Sequence, residues 1–221
     1  MIKCCIFDLD GTLLNTLDTI HYYITRAMGE HGYPVISRQD CRSFVGNGAR
    51  LLIERAMHSV GEFDKERIEE VYRLYNMLYD REPLYLTSPY EGIMEMLTEI
   101  KAQGIKVAVL SNKPHTATEP IVNKMFGLLV DTVRGGEEGI PLKPDPTSAL
   151  GILSSLGVET EECAFIGDTS VDVSTGKALG AAVVIGVPWG FRDRIDLVGA
   201  DAIANTPQDI LSFVIDPKNL Y

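Results

Sequence analysis

Short apolar runs recur along this chain, and each is closed by small or polar residues. They occupy residues 2–7, 105–110, 163–166 and 181–187, with a weaker run at 130–134. Segments of this length that are apolar throughout are typical of strands buried on both faces, as in a parallel sheet covered by helices. Helical patterns lie between the runs, among them residues 91–103 and 146–156. The pattern therefore predicts repeating strand–helix units of the α/β class.

Residues 16–81 break this rhythm, because they carry several helical patterns and no convincing strand. Their apolar side chains recur at helical spacing, namely Leu52, Ile53, Ala56, Met57 and Val60, then Ile68, Val71, Tyr72, Tyr75, Leu78 and Tyr79. We predict a doubly wound parallel sheet of the Rossmann-like type, formed by residues 1–15 and 83–221. A small helical domain, residues 16–82, is inserted after the first strand. A last helix is expected in the tail, residues 209–221.

The excess of acidic over basic residues limits the kinds of partner that the chain can bind. There are 31 acidic and 20 basic residues, a net charge of −11, which argues against a nucleic acid or an anionic membrane as partner. No apolar stretch approaches the roughly 20 residues that cross a bilayer, and a strand follows Met1 too closely for a signal peptide. The cysteines lack metal-ligand spacing; they are Cys4, Cys5, Cys41 and Cys163. We therefore expect a cytoplasmic protein with free thiols.

The first apolar run leads directly into the sequence Asp8-Leu9-Asp10-Gly11-Thr12. Side chains alternate along a strand, so Asp8 and Asp10 point the same way at its carboxyl end, where open α/β sheets form their ligand crevice. Because two ionised carboxylates repel each other, the pair indicates either a bound cation or two different protonation states. Gly11 permits a backbone conformation or a close approach that a Cβ would prevent. An acidic turn after a strand is the plainer alternative.

Later strands also end in polar residues that suit phosphate chemistry. One run is followed by Ser111 and Asn112, and another by Asp168 and Asp172, while Lys143 stands before a proline. Taken singly, these residues are better explained by helix caps and a surface lysine. Because the carboxyl ends of parallel strands meet at one edge of a sheet, the set favours a common site.

Such a set has the composition of a phosphoryl-transfer site with a bound cation. Hard oxygen ligands, which suit Mg²⁺ better than zinc or copper, are offered by Asp8, Asp10 and Asp168. Donors for the phosphate oxygens are offered by Ser111, Asn112, Lys143 and the turn at Gly11 and Thr12. A carboxylate in this cradle can attack phosphorus, and a second acid can transfer the proton. The sequence contains neither a Walker-type phosphate loop nor a G-x-S-x-G motif.

These segments resemble the four ordered motifs of the haloacid dehalogenase-like hydrolase superfamily. They are Asp8-x-Asp10-Gly11-Thr12, Ser111-Asn112, Lys143-Pro144 and Gly167-Asp168-x-x-x-Asp172. The resemblance implies that Asp8 is the nucleophile and Asp10 the general acid and base. It also implies Mg²⁺ held by Asp8, the Asp10 backbone carbonyl and Asp168, with Asp172 in support. Ser111 and Lys143 would bind the transferring phosphoryl group, and the helical insertion is similar to the small cap of the phosphatase branch.

Further segments resemble the phosphoglycolate phosphatase group of that superfamily. They are F-V-G-N-G-A at 44–49, S-N-K-P at 111–114 and V-P-W-G-F at 187–191. The resemblance implies a small phosphorylated metabolite as substrate, with 2-phosphoglycolate the first candidate. Asn47, Gly48 and Arg50 are candidate specificity residues, and Arg50 could pair with a substrate carboxylate. A tight turn between helices explains the loop at 46–48 equally well. Asn15 departs from the aspartate that many relatives carry.

Several alternatives stay open at this point. A sugar-phosphate mutase or a pyrophosphatase of the same superfamily would use the same motifs. A halide-displacing enzyme is disfavoured by Asp10, because a halide leaves without a proton. A signalling module phosphorylated on aspartate, or a binding protein, would leave the helical insertion or the full motif set unexplained. For assembly we expect a monomer or a homodimer.

Overall fold

A computed structural model describes residues 1–216 of the chain. Its strands are β1 (Cys4–Phe7), β2 (Leu14–Asn15), β3 (Ser88–Pro89), β4 (Lys106–Pro114), β5 (Thr132–Gly136), β6 (Cys163–Gly167), β7 (Val183–Gly186) and β8 (Ala202–Ile203). Six of them form one sheet in the order β5-β4-β1-β6-β7-β8, and all of its neighbouring strands are parallel. Strands β2 and β3 form a separate antiparallel pair.

Helices cover both faces of the sheet and fill the insertion. They are α1 (Leu17–Glu30), α2 (Arg38–Phe44), α3 (Ala49–Ser59), α4 (Lys65–Arg81), α5 (Ile93–Ala102), α6 (His115–Phe126), α7 (Thr147–Leu156), α8 (Ser170–Leu179) and α9 (Pro207–Ile215). Helices α1–α4 lie between β2 and β3 and pack on one another. The short β2–β3 pair thus stands where the chain enters and leaves this helical segment. Among the described residues, no helix combines the length and hydrophobicity that a membrane span requires.

Strand β1 is at the centre of the sheet and is completely buried. Its side chains alternate between two cores: Cys5 and Phe7 pack with α5, α6 and α9, while Cys4 and Ile6 pack with α7 and α8. Burial on both faces explains why the strand has no polar alternation in the sequence. Burying a side chain such as Phe7 contributes roughly 1.5–3 kcal/mol. The predicted doubly wound α/β fold is confirmed.

Element boundaries differ from the sequence predictions where tertiary contacts decide them. Strand β4 runs on to Pro114 through an irregularity after Leu110, and so carries polar residues within the strand. Strand β8 has two residues, too few to leave an apolar run. The predicted tail helix begins earlier, as α9, and residues 217–221 of that prediction lie outside the described part of the chain. All four cysteines are buried free thiols.

Candidate active site

The carboxyl end of β1 places Asp8 and the turn that follows it at the edge of the sheet. The turn closes on Leu9, whose carbonyl accepts the backbone N–H groups of Leu13 and Leu14 at 3.1 and 3.0 Å. Gly11 has φ +94°, and a Cβ at this position would lie 2.4 Å from the Oδ2 atom of Asp168. Glycine is therefore needed here both for the backbone conformation and for the approach of the Asp168 carboxylate.

A buried lysine links two of the predicted acidic residues. Lys143 Nζ lies 2.6 Å from Asp8 Oδ1 and 2.7 Å from Asp172 Oδ1. Burial raises the pKa of Asp8 to about 7, although the Lys143 ammonium acts in the opposite direction. Burial also disfavours the charged form of Lys143, but the carboxylates of Asp172 and Asp8 outweigh it and raise the pKa of that ammonium. The Lys143 ammonium and the carboxylates of Asp8 and Asp172 thus compensate one another's charge in a buried site.

Asp168 lies at the end of β6 in a closely fitted cradle. Its carboxylate accepts the Phe191 backbone N–H at 2.8 Å and the Thr12 hydroxyl at 3.3 Å. A Cβ on Gly190 would lie 2.2 Å from Asp168 Oδ2, so the loop after β7 closes over the carboxylate as Gly11 does. Burial, followed by the charges of Asp172 and Asp8, raises the pKa of Asp168 well above its usual value.

The donor set at this edge fits a hard divalent cation. Oxygen atoms of Asp8, Asp168 and Asp172 lie within 4.8 Å of one another, and all three residues are buried. Three carboxylates face a single ammonium, so their full ionisation leaves an excess of negative charge, which a cation would neutralise. The Asp10 side chain is outside this cluster, and only its backbone carbonyl is left for the ligand role that the motifs imply.

The Asp10 carboxylate instead binds two donors on the other side of the turn. Oδ1 accepts the Thr16 hydroxyl at 2.7 Å, and Oδ2 lies 2.8 Å from Lys113 Nζ. Lys113 has no role of its own in the sequence motifs. The available signal was its position two residues after Ser111, which brings it to the same strand end.

Strand β4, the neighbour of β1, supplies Ser111 and Asn112. The Ser111 hydroxyl accepts the Lys113 backbone N–H at 3.2 Å. Asn112 accepts the Lys143 backbone N–H at 2.8 Å and donates from Nδ2 to the carbonyls of Lys143, at 3.1 Å, and Gly46, at 3.3 Å. The Asn112 amide therefore fixes the Lys143 segment and the loop at residues 46–48, and its bonds to backbone leave it less free to bind phosphate.

Comparisons with known proteins decide the family. The chain matches the haloacid dehalogenase-like hydrolase family over residues 5–186. It belongs to this family. The resemblance inferred from the four motifs is confirmed.

Relatives of this hydrolase are named phosphoglycolate phosphatase. The protein of Cereibacter sphaeroides ATCC 17025 is 35% identical over 179 residues, covering 79% of this chain and 80% of that protein. The protein of Pseudomonas putida is 31% identical, covering 97% of this chain and 80% of that protein. Among solved structures, a "predicted phosphoglycolate phosphatase" from Haemophilus somnus 129PT is 27% identical with a TM-score of 0.89, covering 96% of this chain and 97% of that one. The chain is thus a hydrolase of the phosphoglycolate phosphatase-like type.

A cavity of about 270 Å³ lies between the strand ends of this hydrolase and its helical insertion. The sheet side contributes the acidic and phosphate motifs, and the insertion contributes Leu52, Tyr72, Tyr75, Asn76, Tyr79 and Asp80. Gly48 also lines the cavity, where a Cβ would lie 3.3 Å from the Asn112 carbonyl oxygen. The insertion therefore forms the roof over the candidate nucleophile.

The structure does not bring the other two candidate specificity residues to this cavity. Arg50 Nη2 binds Glu69 at 2.8 Å, and its guanidinium lies 4.4 Å from the centre of the Tyr72 ring. Asn47 lines a neighbouring cavity that also includes Arg55 and Arg192. The Arg50 guanidinium, predicted as a partner for a substrate carboxylate, is thus paired locally on the surface of α3 and α4.

The loop after β7 joins the sheet to the helical insertion. Arg192 donates to the carbonyls of Arg42, Ser43 and Val45, at the end of α2, and Arg42 donates to the Phe191 carbonyl. We call these reciprocal contacts the arginine clasp. Trp189 Nε1 donates to the Thr12 carbonyl at 3.1 Å, so the same loop also binds the turn after β1.

Proposed function

We propose that this hydrolase is a Mg²⁺-dependent phosphatase that hydrolyses a small phosphomonoester, 2-phosphoglycolate, through an aspartyl-phosphate. The observation that carries the proposal is Asp8 at the cavity floor, ion-paired at 2.6 Å to Lys143 and clustered with Asp168 and Asp172. Relatives named phosphoglycolate phosphatase support the substrate. The cavity of about 270 Å³ is of a size for a small ester. A cytoplasmic location is part of this proposal.

In the first half of the reaction, a carboxylate oxygen of Asp8 attacks phosphorus and the bond from phosphorus to the ester oxygen breaks. Asp10 gives its proton to the departing oxygen, and the phosphoryl group remains on Asp8. Lys143 and the Ser111 hydroxyl bind the oxygens of the transferred group, while Lys143 also orients Asp8.

In the second half, Asp10 takes a proton from a water molecule, the water oxygen attacks phosphorus, and the bond to Asp8 breaks. This step releases inorganic phosphate, restores the Asp8 carboxylate and returns Asp10 to its protonated form. Bound Mg²⁺ would supply positive charge for the phosphoryl oxygens, and it would be held by Asp8, Asp168 and the Asp10 backbone carbonyl, with Asp172 beside them. The Gly11, Gly190 and Phe191 contacts fix Asp168 for that role.

We further propose that residues 16–82 act as a cap on a core of residues 1–15 and 83–221. The cap roofs the cavity, and its two connections to the core run through β2 and β3. Movement about this pair would admit substrate and then exclude bulk water during the attack.

The decisive experiment is phosphate release from a panel of small phosphoesters, with Mg²⁺ and with a chelator. We expect turnover of 2-phosphoglycolate that requires the metal. Turnover that persists in chelator would contradict the metal role. A wide preference for a hexose phosphate would contradict the substrate and leave the phosphatase proposal in place, and conversion of one sugar phosphate into its isomer would favour a mutase.

A further inference from the structure

The proposed substrate carries a second anionic group, and this inference rests on that proposed function. Phosphoglycolate has a carboxylate beside its phosphoryl group. A carboxylate that enters a cavity loses its hydration, so it needs a positive partner or donors inside. The carboxylates that line the cavity on the sheet side make that need greater, because they repel a second anion.

Basic residues on the cavity wall are few. Among the lining residues of the described chain, only Lys113 and Lys143 are basic. Lys143 already binds Asp8 and Asp172, at 2.6 and 2.7 Å. Arg50, the candidate from the sequence, points its guanidinium to Glu69 and is outside the lining. Lys113 is therefore the cation that a substrate carboxylate can reach.

The surroundings of Lys113 leave room for such a partner. Its ammonium lies 2.8 Å from Asp10 Oδ2 and 4.7 Å from the centre of the Tyr79 ring, and its side chain is 9% exposed. An ammonium has three N–H donors, of which the Asp10 carboxylate takes one. The face of the Tyr79 ring attracts the ammonium through its π electrons. A carboxylate can compete with the ring for the ammonium.

Tyr79 adds a second donor to the same wall. It belongs to α4 in the helical insertion, lines the cavity and is 3% exposed. Its hydroxyl is buried, makes no hydrogen bond of good geometry among residues 1–216, and has the Lys113 ammonium as its polar neighbour. A buried hydroxyl without a partner is costly, and a ligand oxygen in the cavity would satisfy it.

We propose that Lys113 and Tyr79 bind the carboxylate of the substrate and so select carboxylate-bearing phosphomonoesters over those of the same length that lack a carboxylate. Lys113 follows Ser111 by two positions on β4, and its backbone N–H donates to the Ser111 hydroxyl at 3.2 Å. The groups that bind the two ends of the substrate thus start from adjacent points of one strand. This spacing suits a short substrate, with the phosphoryl group near Ser111 and the carboxylate toward α4.

The test compares 2-phosphoglycolate with 2-hydroxyethyl phosphate, an ester of similar length that carries an uncharged hydroxyl in place of the carboxylate. We define the carboxylate preference as the ratio of kcat/KM for the first ester to that for the second. Lys113→Met should lower this preference by at least about tenfold, the loss expected for a charge-assisted hydrogen bond. Lys113→Arg should retain most of the preference. Tyr79→Phe should lower it by a smaller factor, and Arg50→Met should leave it unchanged.

A binding measurement keeps the test independent of turnover. Calorimetry would compare the affinities of 3-phosphonopropionate and 3-hydroxypropylphosphonate for the Mg²⁺-loaded protein. The wild type should bind the carboxylate analogue more tightly, and Lys113→Met should remove that difference. Circular dichroism of each variant would establish that it is folded.

The outcomes separate this inference from the proposed function. Equal losses on both esters in Lys113→Met would overturn the inference, because the lysine would then act only through Asp10. Loss of the carboxylate preference in Arg50→Met would overturn it as well. A wild type that hydrolyses both esters equally would overturn both the inference and the choice of phosphoglycolate. If the wild type hydrolyses neither ester, the proposed function fails, and the binding measurement alone decides the role of Lys113.

Discussion

The Lys143 ammonium lies 2.6 Å from the carboxylate of Asp8, and the side chains of the two residues are only 3% and 10% exposed. The same ammonium binds Asp172 at 2.7 Å. A lysine in this position has two effects at once. It favours the ionised form of the carboxylate that is proposed to attack phosphorus, and it holds that carboxylate at the carboxyl end of β1.

Loss of this lysine should destabilise the fold. Removing one partner of a buried ion pair leaves the other charge without compensation, so Lys143→Met is expected to lower the free energy of unfolding by about 3–5 kcal/mol. Urea denaturation measures the change. The matched control is Lys177→Met, which removes an ion pair to Asp201 that is 46% and 41% exposed. That variant should lose less than about 1 kcal/mol. Equal losses would contradict the role assigned to burial.

Asp8→Asn should abolish phosphate release with little change in structure. The amide has nearly the same shape but lacks the charge and nucleophilicity, so kcat should fall by at least about a thousandfold. Steady-state phosphate release gives the rate, and acid quenching of the wild type should trap phosphoprotein that the variant lacks. The control is Asp131→Asn, at the opposite edge of the sheet, where Asp131 accepts the Val107 N–H. Full activity in the Asp8→Asn variant would exclude Asp8 as the nucleophile.

Gly190→Ala should displace Asp168. The added Cβ would lie 2.2 Å from Asp168 Oδ2 and 2.4 Å from its Cβ, closer than atoms can approach. We expect kcat/KM to fall by at least about tenfold, because Asp168 would be misplaced at the reacting site. The Mg²⁺ concentration needed for activity should rise. The control is Gly151→Ala in α7, where an added Cβ would have no neighbouring atom within 4 Å. This variant should gain about 0.5–1 kcal/mol of stability. An unimpaired Gly190→Ala enzyme would show that the cradle can relax.

Arg192→Met should loosen the arginine clasp. Its guanidinium donates to three carbonyls at the end of α2, and a charged donor contributes about 1.5–3 kcal/mol per hydrogen bond. Hydrogen exchange of the α2 amides should speed up at least about tenfold, whereas exchange in β1 should stay unchanged. Arg26→Met, which removes an exposed pair with Glu30, serves as the control. Identical exchange in both variants would show that α2 does not depend on the clasp.

Glu62 should make stability depend on pH in the acid range. The Asp64 backbone N–H, then Arg67 and Tyr33, lower the pKa of Glu62 to about 2 from 4.5. A carboxyl whose pKa is lower in the folded state contributes stability above the unfolded pKa and loses it as pH falls toward the folded one. Glu62→Gln should therefore destabilise the protein most above pH 5, and the difference should shrink between about pH 4.5 and 2. A difference that does not vary with pH would contradict this assignment.

The fold could be predicted because its central strands leave unambiguous signals. Strand β1 and strand β6 are buried on both faces, so their sequences contain only apolar residues until the motif begins. Strand β8 is two residues long and is defined by its pairing with β7, which no local pattern records. Helix α6 contains Pro120, which weakens the helical pattern although tertiary packing retains the helix.

The site was predictable only in part. The motif residues follow strands and so meet at one edge, which sequence order alone implies. The bond from Lys113 to Asp10 depends on β4 being the neighbour of β1, and the pairing of Arg50 with Glu69 depends on how α3 packs on α4. Such contacts between elements carry no local signature, and they decide which charged side chain lines the cavity.

The loop after β7 reaches three parts of the molecule within residues 189–192. Trp189 binds the turn after β1, the Phe191 N–H binds Asp168, and Arg192 binds the end of α2. Inserting one residue here would move at least one of these groups by up to about 3.5 Å, beyond hydrogen-bond reach. Related sequences are therefore expected to vary in side chains along this loop more readily than in its length, and grafting a loop of another length would uncouple the cap and the candidate metal ligand together.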